Sequence, residues 1–265
     1  MNSTASSNVA AATGPQGRVD AAIRQAAARS GVDFSYLYHQ ARLESGLNPN
    51  ARARTSSATG LFQFVDQTWL AMIDKHGAAH GLGWAANAVQ RGSDGRFHVS
   101  DPAMRRQIMD LRRDPEAASA MAAEFASDNR AHLERRLGRE MQPVDLYMAH
   151  FLGAGGATRF LRSHEASPNA AAAASFPDAA RANRSIFFKR DGSARSFNEI
   201  RNMMAARLGT GGHLPAATQR IAVASADNSP AQRLAALRTD PEAAASSVTP
   251  RNARLAYMLL ADLGA

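Results

Sequence analysis

The sequence has 265 residues, 45% hydrophobic and 20% charged, enough to bury a sizeable core in one large or two small domains and too apolar for disorder throughout. Its formal charge of +8, nearly all from arginine, favours anionic partners, but no basic run interleaved with aromatics offers a nucleic-acid surface. The absence of cysteine excludes disulfides, thiolate nucleophiles and Cys-ligated metals, and no apolar run reaches the roughly 18 residues of a membrane span.

Residues 1–16 read as a flexible lead-in without a signal-peptide pattern, since their small polar side chains have little to bury. From Gly17 onward helix signals dominate. Asp33 is an N-cap for a helix running to Ser45, which Gly46 is placed to end. Asp101-Pro102, Asp114-Pro115, Ser229-Pro230, Asp240-Pro241 and Thr249-Pro250 each set a capping side chain before a proline, whose missing N–H costs nothing at the first helical position. Gly31, Gly138 and Gly209 follow periodic segments where a left-handed C-cap is expected, and Ser196 with Glu199 spells a capping box. Alternating strand patterns are nearly absent, Ile186-Phe187-Phe188 being the one short run suited to an extended chain, so the fold class is all-α. Residues 17–208 form the main domain, 209–228 a Gly- and Pro-bearing linker, and 229–265 a helical C-terminal extension. The apolar end of that extension, Leu255 to Leu263, docks back on the globule or binds a partner.

Leu37, Ala41 and Glu44 recur at i, i+4 and i+7, which puts Glu44 on the buried stripe of its helix, at the last turn. Withdrawal from water and the negative end of the helix dipole both favour a protonated carboxyl there, and a protonated carboxyl can act as a general acid. Surface pairing with Arg42, Arg52 or Arg54 is the plainer explanation of a lone glutamate. The residues that follow favour the first reading. Glu44-Ser45-Gly46-Leu47-Asn48-Pro49 leads into the small-residue loop Thr55 to Gly60, then Leu61-Phe62-Gln63-Phe64 and the helix start Asp66-Gln67-Thr68-Trp69.

This ordered set resembles the signature of the soluble lytic transglycosylase (SLT) domain family, which has a lysozyme-like fold, and the likeness spans roughly residues 17–165 with its motif core at 33–165. The resemblance implies that Glu44 is the catalytic acid and base. It also implies that Ser45, Phe62, Gln63 and Thr68 lie on the substrate side, Gln63 as a groove amide and Thr68 orienting the loop. A third family block normally reads Ala-Tyr-Asn-Ala-Gly, with the tyrosine near the glutamate; here Ala149-His150-Phe151-Leu152-Gly153 stands in its place. Either His150 donates to Glu44, or Tyr147 substitutes from one turn earlier.

Ordinary glycoside hydrolases need two carboxyl groups, whereas Asp33 and Asp66 are both accounted for as helix caps. The resemblance implies a reaction that escapes this requirement. It cleaves the β-1,4 bond between N-acetylmuramic acid and N-acetylglucosamine in peptidoglycan glycan strands, with the C6 hydroxyl of the sugar as nucleophile and a 1,6-anhydro end as product. No metal or other cofactor is implied, and the site of action is the periplasm. A non-catalytic peptidoglycan-binding or assembly protein and a muramidase-type hydrolase are the competing readings. By analogy alone, a flagellar or secretion-system protein is the partner of the C-terminal helices. His76 and His80 have the spacing of two metal ligands without the glutamate of a metalloprotease. Trp69 and Trp84 suit either sugar stacking or the core. Gly153 to Gly156 reads as a turn between helices rather than a phosphate cradle.

Overall fold

Alanine-rich helix faces set the architecture, because small side chains let helix axes approach closely while still excluding water. In the computed structural model, which describes residues 14–54 and 56–210, helix α1 (Pro15–Ser30) buries Val19, Ala22, Ile23, Ala26 and Ala27. That face packs on α6 (Pro115–Leu137), whose buried side includes Ala117, Ala118, Met121, Ala122, Phe125 and Ala126. Helix α6 is the hub: it also touches α2 (Phe34–Ser45), α3 (Asp66–His76) and α7 (Pro143–Ala166). From α6, Arg130 donates to the Gly31 carbonyl at the end of α1 (3.1 Å), satisfying an acceptor that the helix leaves open.

Between α3 and α6 lie a 3-10 turn (Gly77–His80), α4 (Gly83–Ala88), a hairpin, α5 (Pro102–Asp110) and a second 3-10 turn (Leu111–Arg113). The hairpin pairs β1 (Gln90–Arg91) with β2 (Phe97–His98) antiparallel, in the register Gln90 to His98. Two residues per strand leave no alternation to read from sequence, so this small departure from an all-α chain was not legible there. What holds the hairpin down is a side chain: the Gln67 amide donates to the Phe97 carbonyl and accepts from its N–H, both at 2.9 Å.

Beyond α7 come three short helices, α8 (Ala172–Ser175), α9 (Pro177–Ala182) and α10 (Arg184–Phe187), and then α11 (Phe197–Thr210), which lies against α7 and α2. Asp145, fully buried at the start of α7, accepts from Arg139 and from Arg201 of α11, each at 2.9 Å, and so joins the two helices. Asp101 and Asp114 cap α5 and α6 through their carboxylates, and the Ser196–Glu199 capping box forms with both reciprocal bonds. Gly31 and Gly138 take the left-handed conformation as C-caps.

Two local expectations are corrected. Gly209 does not end its helix, because α11 continues to Thr210. Ile186 and Phe187 sit in a helical turn, and only Phe188 is extended, bridging Ala194. At Gly153, in keeping with the turn read there, α7 breaks between two helical stretches: its φ of 75° and ψ of 159° suit glycine alone. The lead-in through residue 13, most of the linker, and the extension at 229–265 with its three Pro-marked starts lie outside the described residues.

Candidate active site

Helix α2 is fixed at both ends, and this determines where Glu44 points. Asp33 accepts from the Tyr36 N–H (2.9 Å) at its start. The Ser35 hydroxyl and that N–H together hold the Asp33 carboxyl below its ordinary range. At the other end Gly46, with φ 63°, returns its N–H to the Arg42 carbonyl (3.0 Å). Between these caps Leu37 and Ala41 are fully buried and Glu44 is only 5% exposed.

Its partner is an imidazole. His150 Nε2 lies 3.0 Å from Glu44 Oε1, and Gln40, one turn before Glu44, places its amide nitrogen 3.1 Å from His150 Nδ1. His150 keeps 16% exposure, so the pair reaches the surface at one edge. The Tyr147 ring stacks on the imidazole with centroids 5.9 Å apart, and Phe125 of α6 meets it edge-on at 6.5 Å. Burial, and then the charge of Glu44, push the phenols of Tyr36 and Tyr147 well above their ordinary range, so both remain neutral hydroxyls beside the carboxyl. Arg207 of α11 completes the surroundings. Burial draws its guanidinium below the ordinary value, and its Nη1 is buried without a hydrogen-bond partner.

The other residues singled out in the sequence sit on the loop that joins α2 to α3, and most hold that loop together. The Ser45 hydroxyl reaches the Leu61 carbonyl at 2.8 Å, with the Ala41 carbonyl at 3.0 Å, and so ties the end of α2 to the turn. Gln63 adopts φ 49°, an uncommon setting for a side chain of its size, and its amide nitrogen bonds the Ala51 and Gly60 carbonyls at 3.2 and 2.9 Å. Phe62 is a core side chain at 2% exposure, and Thr68 is buried one turn into α3. Gly60 has φ 86°, and a Cβ there would stand 1.8 Å from the Arg112 carbonyl oxygen, so glycine is required on two counts.

Sequence reasoning missed Arg112. Its buried guanidinium donates to the carbonyls of Ser57 (2.8 Å) and Phe64 (3.0 Å) and to the Asp66 carboxylate (2.9 Å), while Nε donates to the Met109 carbonyl (3.0 Å). It is the bolt that secures the loop to α3, and no local pattern around Leu111-Arg112-Arg113 announces it. Asp66 is accordingly not a cap: Val65 holds the N-cap position, and Asp66 pairs with Arg112 and Arg105, both at 2.9 Å. Trp69 is fully buried, its indole donating to the Ile108 carbonyl (2.8 Å), whereas Trp84 is 44% exposed. His76 and His80 bond the carboxylates of Asp128 and Glu124 on α6, each at 2.8 Å. Two cavities open elsewhere: one of about 370 Å³ between α1 and the start of α6, and one of about 340 Å³ where Tyr36, Val144 and Leu208 meet.

Helix α2, with the loop that Arg112 secures to α3, thus brings a buried carboxyl to a helix end beside a glycine-dependent turn. Residues 21–78 match the family model described as the transglycosylase SLT domain. That segment is similar to the SLT domain, a lysozyme-like lytic transglycosylase family; the largely helical architecture of the described residues is consistent with such a domain, and at the level of the family the match implies lytic transglycosylase-type activity on peptidoglycan. Such domains typically work outside the cytoplasm. No helix among the described residues is long and apolar enough to cross a membrane.

Proposed function

We propose that this protein cleaves the bond between N-acetylmuramic acid and N-acetylglucosamine in peptidoglycan, leaving 1,6-anhydro ends, with Glu44 as its single acid and base. The observation that carries this reading is the Glu44 carboxyl itself, nearly buried at the end of α2 within the matched segment and bonded to His150 rather than to a guanidinium. The two other acids between residues 33 and 69 are engaged: Asp33 caps α2, and Asp66 is held by Arg105 and Arg112. A reaction whose nucleophile comes from the substrate needs one carboxyl where a hydrolase needs two.

In the first half-reaction Glu44 protonates the glycosidic oxygen as the bond to the anomeric carbon breaks, with charge developing on the sugar ring. The carboxylate then removes the C6 hydroxyl proton as that oxygen closes on the anomeric carbon. The neighbouring neutral phenols of Tyr36 and Tyr147 add no charge in either step. Ser45 and Gln63 support this by bracing the turn beside Glu44 through their hydrogen bonds to its carbonyls. The setting is the periplasm. An envelope machine engaging 229–265 is a reading of residues outside those described.

Mass spectrometry of muropeptides released from purified sacculi tests the proposal. Anhydro ends are expected. Hydrated reducing ends would assign a muramidase-type hydrolase instead, and binding without release a wall-binding protein.

A further inference from the structure

We infer that Gln40 and His150 dedicate Oε1 of Glu44 to a fixed hydrogen bond and leave Oε2 as the atom that gives and takes the proton; this rests on the role of Glu44 proposed above. The contacts form one chain across α2 and α7: Gln40 Nε2 to His150 Nδ1 at 3.1 Å, then His150 Nε2 to Glu44 Oε1 at 3.0 Å. An amide nitrogen only donates, so Nδ1 must accept, and the imidazole is held as the tautomer with its proton on Nε2, aimed at Oε1. The Gln40 amide has a reason to face this way. As it stands it buries one acceptor, Gln40 Oε1, without a partner; turned over, it would bury N–H donors there instead, and orphaned donors are the rarer case in folded proteins.

Oε1 can accept the Nε2 proton in both charge states of Glu44, because in the neutral acid the proton sits on the other oxygen. Protonation of the leaving oxygen then proceeds from Oε2, and the C6 hydroxyl proton returns to Oε2, while His150 keeps the same single proton throughout. A second proton on Nδ1 would face the Gln40 N–H, donor against donor. The rest of the surround is consistent with a static imidazole: Tyr147 stacks on it, Phe125 meets its edge, Tyr36 stays a neutral phenol beside Glu44, and Arg207 approaches Tyr147. His150 and Gln40 are thus positioning residues. They prevent the carboxyl from rotating, so the same oxygen serves both half-reactions.

Long-range proton–nitrogen NMR of the full ¹⁵N-labelled chain, with His150 assigned through His150→Gln, reads the tautomer without reference to activity. The expected spectrum at neutral pH shows a protonated Nε2 and a bare Nδ1, and Gln40→Leu, which removes the lock, gives a mixture of tautomers. On sacculi, His150→Leu is expected to lower kcat about tenfold to a hundredfold with KM little changed, and His150→Gln, whose amide still donates to Oε1, to recover most of it. A proton on Nδ1 in the wild type, or full turnover in a folded His150→Leu, would overturn the inference and leave the proposed reaction standing. A correct tautomer in a protein that releases no anhydro ends would overturn the reaction and leave the hydrogen-bond lock standing.

Discussion

Two sites among the described residues where imidazole meets carboxylate are built to opposite ends. Between α3 and α6, Asp128 receives His76 at 2.8 Å and Lys75 at 2.9 Å, while Glu124 receives His80 at 2.8 Å and His76 at 3.5 Å. Burial pushes the Asp128 carboxyl up, but hydrogen bonds from His76 and Lys75 together outweigh it and hold the group below the ordinary range. That acid is held as a carboxylate near neutral pH and serves as a clamp between helices. Around Glu44 there is one imidazole, with a neutral amide behind it and phenols beside it. A carboxyl with a single hydrogen-bond partner and no guanidinium or ammonium against it is not committed to an ion pair as Asp128 is. On the role proposed for Glu44, the number and charge of a carboxylate's partners, more than its burial, distinguish these two sites.

Exchanging the acids for amides breaks the comparison in two different ways. Glu44→Gln is expected to lower turnover on sacculi by about a hundredfold to ten-thousandfold, the usual worth of acid–base catalysis, with its thermal midpoint close to that of the wild type. Next in size is the framework that both regions share. Gly60→Ala drives a Cβ into the Arg112 carbonyl at a positive φ, and is expected to cost more than about 4 kcal/mol or to prevent folding, read by urea denaturation. Arg112→Met removes the bolt while filling its space. Stability is expected to fall by about 2–4 kcal/mol, since the Ser57 and Phe64 carbonyls and one side of Asp66 lose their donor.

The smallest effect belongs to the clamp. Asp128→Asn is expected to lower stability near neutral pH by about 1 kcal/mol and to leave kcat unchanged. Because the folded-state value of Asp128 lies below the unfolded value of 3.8, its contribution is present above about pH 4 and is lost as pH falls through the folded value. Denaturation curves of the wild type should lose stability over that acidic range, and the variant should lack this part of the loss.

Much of this was legible in the sequence because it depends on local chemistry. The Asp33 cap, the Gly46 end and the i, i+4, i+7 stripe put Glu44 on an inner helix face from a dozen consecutive residues. His150 was recognisable as the stand-in at the third block, though its choice over Tyr147 was not: His150 bonds the carboxyl and Tyr147 stacks behind it, an arrangement set by how α7 lies against α2. Gln40 carries no motif, and only the fold brings it to Nδ1. Arg112 was invisible for the same reason, since its partners at Ser57, Phe64 and Asp66 lie 46 to 55 positions away in the chain. Asp66 showed the limit of local reasoning most plainly: a good capping residue at a helix start was instead drawn to two guanidiniums arriving from α5 and the 3-10 turn after it.

The most direct test of one carboxyl working with the sugar's own nucleophile is digestion of sacculi in water enriched in heavy oxygen, followed by mass spectrometry of the new muramic acid ends. These ends are expected to carry no solvent oxygen and to be one water lighter than the hydrated form. New ends bearing the heavy label would show that water attacks the anomeric carbon, and would contradict the account.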